Sequence, residues 1–136
     1  ANGWFHSGDY GKKDDNGYFY FHGRKDSLII KGGENIYPAE LENVLYKHPT
    51  IAECAVIGIP DKLLGEDICA FVKCSENEYI SEHKLKEFCK GKIAAYKQAK
   101  RIIIIDDLKD LNEIPKGPTN KVLYRELKNY YIRKYD

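Results

Sequence analysis

Residues 23–42 constrain the fold of this chain more than any other stretch. They contain a short apolar run at 28–30, then a Gly32-Gly33 pair, then Pro38. Glycine reaches the positive φ angles of a tight turn without steric cost, so the pair predicts a sharp reversal after a strand. Proline is favoured at the first helical position, because its fixed φ suits a helix and no N–H is needed there. The stretch therefore predicts a strand, a tight turn and a helix in immediate succession.

The helix that starts at Pro38 is predicted to continue as an amphipathic pattern over residues 39–48. Its apolar positions recur at i, i+3, i+4 and i+7, which is helical spacing, and Pro49 ends it. Those positions are Leu41, Val44, Leu45 and His48. Glu40 and Glu42 are predicted to lie in the first turn, where carboxylates suit the positive end of the helix dipole.

The rest of the chain predicts a small α+β fold, a mostly antiparallel sheet flanked by helices. Residues 51–59 and 67–74 are β-rich and are predicted to pair across a loop that begins at Pro60-Asp61. Four consecutive isoleucines at 102–105 predict a strand buried on both faces. The polar segment 106–118 predicts a long, functional or mobile connection.

Two further helices are predicted. Ser81 is placed to cap the first, which would turn Leu85, Phe88 and Cys89 inward. The second closes the chain over residues 121–135. Its expected core-facing side chains are Leu123, Leu127 and either Tyr130 or Tyr131.

Near the other end, residues 9–12 and 18–22 predict a hairpin around Asn16-Gly17. Aromatic side chains would lie on both of its faces, and a free two-stranded unit cannot cover them. The chain also contains no methionine. We expect a piece of a longer polypeptide, in which this hairpin is the last part of a larger N-terminal domain.

Composition narrows the class of protein. Of the 136 residues, 43% are hydrophobic and 32% charged, as in an ordinary soluble domain with one core. The net charge of +1 gives no global attraction to nucleic acid or an anionic membrane. No segment reaches the eighteen or so apolar residues of a transmembrane helix. A cytoplasmic protein is expected.

The four cysteines follow no metal-binding spacing, and three of them have apolar neighbours. Cys54, Cys69, Cys74 and Cys89 are therefore expected to be small buried residues in a reducing compartment, and no metal site is expected in this chain.

Three motifs in this chain resemble those of the adenylate-forming enzymes, a superfamily that includes acyl-CoA and aryl-CoA synthetases, luciferases and peptide-synthetase adenylation domains. Residues 23–42 are similar to the family's Gly-Arg-x-Asp, Gly-Gly-Glu-Asn-Ile and Pro-x-Glu-x-Glu series, which joins two domains. Residues 3–9 are similar to its Gly-Trp-x-His-Thr-Gly-Asp segment. Residues 118–125 are similar to Pro-x-x-Gly-Lys-x-x-Arg, with Asn120 where glycine is usual. A Gly-x-Pro-Asp-x-x-x-Gly-Glu match over 58–66 has no catalytic part assigned.

The resemblance implies a domain boundary and a nucleotide site. Residues 1–25 would be the C-terminal edge of the large AMP-binding domain, and 26–136 a mobile C-terminal domain. Asp9 would accept hydrogen bonds from both ribose hydroxyls of ATP, as an ionised carboxylate can. Arg24 would be a second ribose or phosphate contact, with a surface ion pair as the alternative. Asp26 would be the hinge.

The resemblance assigns the remaining site residues to two separate steps, adenylate formation and transfer of the acyl group to CoA. Lys121 would bridge the carboxylate substrate and the α-phosphate of ATP during adenylate formation, where a cation stabilises the growing charge. Gly32 and Gly33 would line the channel for the pantetheine arm of CoA. Lys31 would lie near the ligand in the second conformation, and the alternative is a solvated strand lysine.

The function implied is that of an ATP-dependent acid-thiol ligase. A carboxylate, fatty or aryl, and ATP would give an acyl-adenylate, from which the thiol of CoA displaces AMP. Mg²⁺ is expected to be bound by the missing N-terminal domain, and the chain alone is expected to be inactive. Two alternatives stay open: a ligase that loads a carrier protein, and a non-catalytic binding module that uses a basic C-terminal helix. From Lys116 to Asp136 there are six Lys or Arg and two acids, a net charge of +4.

Overall fold

A computed structural model describes residues 28–135 of the chain. Five strands and three α-helices form one α+β unit, as the sequence predicts. In chain order they are β1 (Ile29–Lys31), β2 (Glu34–Ile36), α1 (Pro38–Leu45), β3 (Ile51–Asp61), β4 (Gly65–Cys74), α2 (Glu82–Cys89), β5 (Arg101–Ile104) and α3 (Tyr124–Tyr135). Short 3-10 turns occur at Ala95–Lys97 and Ile105–Asp107.

Strand β4 is the centre of the sheet. β3 pairs antiparallel with it along its whole length, from Asp61 opposite Gly65 to Ile51 opposite Cys74. β1 joins its other edge at Lys31 opposite Gly65, and β2 continues the sheet beyond β1, both antiparallel. Further along that same edge β5 pairs with β4 in parallel. The prediction of a mostly antiparallel sheet is confirmed.

Helices cover both faces of the sheet. One buried cluster joins alternate strand residues to α1 and α2 through Leu41, Leu45 and Leu85. A second cluster, on the opposite face, packs Phe71 and other strand residues against Leu127 and Tyr130 of α3. Consecutive isoleucines of the 102–105 run alternate between the two clusters, so the prediction of burial on both faces is confirmed.

Among the described residues, side chains rather than another strand bond to the outer edge of β3. The Cys54 N–H donates to the Tyr46 hydroxyl oxygen over 3.1 Å. Two residues on, the Val56 N–H donates to Glu42 Oε2 over 2.9 Å. Buried backbone donors need partners, and an open strand edge exposes a row of them. The C-terminal part of α1 therefore closes this edge of the sheet.

Several predicted boundaries are wrong by a few residues. β3 runs through Pro60-Asp61, which the sequence assigns to a turn, and only residues 62–64 link it to β4. Proline is tolerated there because β3 is an edge strand. β5 spans Arg101–Ile104 rather than 102–105. α1 begins at Pro38, as predicted, and ends at Leu45, before His48.

The closing helix differs in a way that matters for the site. It begins at Tyr124, so Lys121 precedes it in a loop. Leu127 and Tyr130 are buried as predicted, but Leu123 is 38% exposed and does not face the core. Of the helices in the described part of the chain, none is long and apolar enough to cross a membrane.

Candidate functional site

Lys121 lies in a closed loop, residues 115–123, which we call the lysine loop. Lys116 and Val122 form an antiparallel bridge across its base. The Gly117 N–H donates to the Lys121 carbonyl and the Leu123 N–H to the Pro115 carbonyl, both over 2.9 Å. The backbone on each side of Lys121 is therefore paired, which fixes where its side chain starts.

Asn120 makes the turn of this loop possible. Its φ is +66°, and its N–H donates to the Gly117 carbonyl over 2.9 Å. Left-handed angles are uncommon outside glycine, but asparagine is several-fold enriched there. The expectation that the turn survives with asparagine in place of the usual glycine is confirmed for the backbone.

The side chain of Lys121 faces an open groove. α3 and the lysine loop form one wall, with Thr119 and Arg125 beside the lysine, and the strand residues Ile57 and Gly58 also line it. Lys121 is exposed, and no hydrogen bond or ion pair holds its ammonium to another residue of 28–135. The ammonium is thus available to an anion that enters the groove.

Two side-chain contacts, one at each end of the loop, hold it to carboxylates of β3 and α1. Lys116, near its start, pairs with Glu53 of β3 and also donates to the Ile114 carbonyl over 3.2 Å. Tyr124, just after its end, donates its hydroxyl to Glu42 Oε2 over 2.8 Å. Neither partner was singled out from the sequence as a site residue. The sequence predicts Glu42 in the first turn of α1, but the acidic residue of that turn is Glu40.

Glu42 lies beside the edge of β3, where α1 from one face of the sheet meets α3 from the other. Burial raises the pKa of its carboxyl, and the bonds from the Val56 N–H and the Tyr124 hydroxyl partly oppose that rise. Burial also raises the pKa of the Tyr124 hydroxyl, and the nearby Glu42 carboxylate raises it further. Tyr124 is consequently the neutral donor and Glu42 the acceptor.

The predicted glycine turn forms the tip between β1 and β2. Gly32 has φ +57° and Gly33 has φ +86°, so the expected left-handed turn is confirmed. A Cβ at Gly32 would lie 3.3 Å from Leu64 Cδ2, whereas one at Gly33 would meet nothing within 4 Å. The backbone at Gly33 is therefore open to a passing ligand or to another domain.

Lys31, beside this turn, is not a solvated lysine. Its ammonium lies 3.0 Å from Asp67 Oδ1 and donates to the Tyr96 carbonyl over 2.9 Å. The two ion-paired side chains are only 16% and 12% exposed. Lys31 thus ties the end of β1 to the Ala95–Lys97 turn. The alternative of a solvated strand lysine is therefore wrong. That Lys31 approaches a ligand in the second conformation stays a prediction.

The lysine loop and the glycine turn lie on separate parts of the surface of the described domain. Among the described residues, the lining of the Lys121 groove includes Leu28 but neither glycine of the turn. The predicted nucleotide contacts Asp9 and Arg24, the hinge Asp26 and the domain boundary beside it lie outside the described residues. The hairpin predicted around Asn16-Gly17 lies outside them as well.

The basic C-terminal end is less free than its charge indicates. Lys128 pairs with Glu66 over 2.8 Å and Lys134 with Asp110 over 3.1 Å. With Lys116 on Glu53, three of the six basic side chains are held internally. This pairing weakens the alternative of a binding module with a basic helix.

The four cysteines are buried and unpaired, which confirms their predicted burial. Within residues 28–135, no group of three or more His, Cys, Asp or Glu side chains is arranged to hold a metal ion.

Comparison with known proteins shows which family this chain resembles. The AMP-binding enzyme C-terminal domain matches residues 40–113. A long-chain-fatty-acid–CoA ligase of Mycobacterium tuberculosis is 43% identical over 96% of this chain and 24% of its own length. A solved Mycobacterium tuberculosis fatty acyl CoA synthetase is 43% identical, with a TM-score of 0.75, over 96% of this chain and 25% of that one.

A third relative was solved with a reaction intermediate. The o-succinylbenzoate CoA synthetase of Bacillus subtilis, in complex with its acyl-adenylate, is 38% identical with a TM-score of 0.74. The match covers 94% of this chain and 25% of that enzyme. The chain thus spans about a quarter of the length of these relatives. Since the family match extends over more than half of its residues, this chain belongs to the AMP-binding enzyme C-terminal domain family.

Proposed function

We propose that this chain is the C-terminal part of an ATP-dependent acid–CoA ligase, and that Lys121 acts in its first half-reaction. The observation that carries the proposal is the lysine loop. It fixes the backbone of Lys121 and places its side chain in an open groove, where no residue of 28–135 pairs with the ammonium. Adenylate formation brings a carboxylate and a triphosphate together. A preorganised cation stabilises the charge that develops between them.

The second half-reaction is assigned to the glycine turn. Gly33 offers open backbone where a side chain would obstruct a thiol arm. The relatives named above are CoA ligases, which supports CoA rather than a carrier protein as the acceptor. Their acids are a long-chain fatty acid and o-succinylbenzoate, so a fatty or aryl acid is proposed here.

The remaining parts of the site are assigned to residues beyond those described. Asp9 and Arg24 would hold the ribose and phosphates of ATP, and Asp26 would be the hinge between residues 1–25 and the mobile domain from 26 onward. The described residues provide no cluster for Mg²⁺, and we assign that ion to an N-terminal domain. Buried free cysteines favour a reducing compartment, and we place the enzyme in the cytoplasm.

The test is Lys121→Ala in the full-length enzyme. Adenylate formation, followed as carboxylate-dependent pyrophosphate exchange, should fall by roughly 100- to 1,000-fold, the scale of losing one preorganised electrostatic donor. CoA thioester formation from a supplied acyl-adenylate should persist.

Lys109→Ala is the matched control, because Lys109 is another exposed lysine with no hydrogen bond or ion pair to a described residue. It should leave both steps unchanged. Full adenylate formation in Lys121→Ala would refute the proposed role of the lysine.

A further inference from the structure

We propose that Glu42 and Tyr124 are positioning residues for Lys121, and that their hydrogen bond sets the lysine loop for adenylate formation. This inference rests on the function proposed above for Lys121. It assigns a role to two residues that the family resemblance left without one. Neither needs to touch a substrate.

The segment from Lys121 to Tyr124 connects the lysine directly to the start of α3. Lys121 is separated from Tyr124 by two residues, and both of these are already engaged with the opposite side of the loop. Val122 bridges to Lys116, and the Leu123 N–H bonds to Pro115. A displacement of Tyr124 would therefore be passed through this short paired segment directly to the backbone of Lys121.

The Tyr124 side chain is itself held firmly. Its ring packs against the buried cluster beneath α3, and its hydroxyl reaches Glu42 Oε2 at 2.8 Å. Glu42 is fixed in turn, since the same oxygen accepts from the Val56 N–H at 2.9 Å. The bond joins residues 82 positions apart, on helices that cover opposite faces of the sheet. It thus locks the start of α3 to the rigid β3 edge.

A second carboxylate holds the next turn of the same helix. Glu66 Oε2 lies 2.8 Å from the Lys128 ammonium, and its Oε1 accepts from the Ile30 N–H of β1 over 2.9 Å. The lysine follows Tyr124 by four residues, so it lies on the same side of α3. Lys128 also lines the Lys121 groove. It lies one helical turn farther along the chain than Tyr124, so the Glu42 bond is the support nearer to Lys121.

A purely structural role for Glu42 is the competing explanation, because its carboxylate also closes the edge of β3. Tyr124→Phe separates the two roles. It removes only the hydroxyl and leaves the Val56–Glu42 bond and the packed ring in place. Glu42→Gln would disturb both bonds and is less informative alone.

The matched control lies on the same helix. Tyr130 also donates its hydroxyl to a carboxylate, Asp110 Oδ1, over 2.7 Å. Tyr130→Phe therefore deletes the same kind of bond from α3 without touching the lysine loop. In the full-length enzyme, pyrophosphate exchange and thioester formation from supplied acyl-adenylate are measured for both variants, with melting temperatures as a check on folding.

The expected result is selective. Tyr124→Phe should slow adenylate formation by about 10- to 100-fold, since a catalytic group misplaced by about 1 Å can cost up to 100-fold. It should spare thioester formation, and Tyr130→Phe should spare both. In a Lys121→Ala background, Tyr124→Phe should cause no further loss, because it acts through the lysine.

Each contrary result is distinct. Unchanged adenylate formation in Tyr124→Phe, equal loss of both steps, or an additional loss in the Lys121→Ala background would overturn the positioning role and leave the proposed function standing. If Lys121→Ala is itself fully active, the proposed function fails and the positioning role fails with it. Should Tyr124→Phe lower the melting temperature, Glu42→Gln must reproduce the same selective loss for the proposal to survive.

Discussion

At the scale of single residues, the proposed role of Lys121 depends on one unusual backbone angle, that of Asn120. Within residues 28–135, Asn120 and Asn77 are the two non-glycine residues with positive φ, at +66° and +65°. Asn120 immediately precedes Lys121, so its left-handed angle determines the direction in which the lysine leaves the loop. The usual glycine of the family motif would satisfy the same angle with no steric cost.

Asn120→Gly should therefore leave adenylate formation within about threefold of the wild type. Asn120→Val should reduce it about tenfold or more, because a β-branched residue at this angle adds strain of roughly 1 to 3 kcal/mol, which the loop relieves by shifting. Pyrophosphate exchange by the full-length enzyme measures both effects.

Asn77→Val is the control, since it introduces the same strain in the exposed turn between β4 and α2. It should destabilise the enzyme without slowing adenylate formation selectively. Comparable activity in Asn120→Val and the wild type would mean that the angle at Asn120 does not place the lysine.

At the scale of elements, local patterns in the sequence identify most helices and strands. The Ser81 cap and the Pro38 helix start each depend on neighbouring residues, and both are confirmed. The isoleucine run forms the predicted strand to within one residue at each end. β2 was not predicted as a strand. Its three residues Glu34–Ile36 have no apolar alternation and gain their order from pairing with β1.

Local sequence patterns do not predict pairings between residues that are far apart in the chain. Nothing local indicates that β5 runs parallel to β4, or that Lys31 pairs with Asp67. The same holds for Tyr124 and Glu42, whose bond exists only once α1 and α3 pack at the edge of β3. The sequence motif identifies Lys121 as a candidate site residue. The side chains that hold its loop in place are visible only in the tertiary structure.

The β1–β2 turn allows a test with two equivalent glycines. Gly33 and Gly91 have φ of +86° and +79°, and a Cβ on either would meet nothing within 4 Å. Leucine at either position should therefore cost a similar amount of stability, roughly 1 to 2 kcal/mol. Only Gly33→Leu should obstruct the proposed thiol channel, slowing CoA thioester formation on the order of 100-fold while adenylate formation persists.

Single-turnover assays of the two half-reactions, with melting temperatures for both variants, distinguish obstruction from strain. If Gly91→Leu slows thioester formation as much as Gly33→Leu does, the effect is strain and the turn is not a channel wall.

At the scale of the whole molecule, the two surfaces proposed for the two half-reactions lie at opposite ends of β1. β1 begins beside Leu28, which lines the Lys121 groove, and ends three residues later at the glycine turn. Because buried clusters pack helices onto both faces of the sheet, we expect the described domain to move as one body. In the proposed enzyme, presenting the glycine turn in place of the Lys121 groove would then require rotation of the whole domain, and the proposed pivot is Asp26.

The most direct test of this two-surface account is Asp26→Pro in the full-length enzyme, with single-turnover rates measured for adenylate formation and for thioester formation from supplied acyl-adenylate. Proline fixes φ near −65° and restricts Lys25 as well, so one domain orientation should remain accessible. Asp26→Ala is the control, because alanine leaves φ free. The account predicts one half-reaction near the wild-type rate and the other slowed on the order of 100-fold or more, with Asp26→Ala much milder. Two half-reactions slowed alike in a folded Asp26→Pro enzyme, or neither slowed, would contradict it.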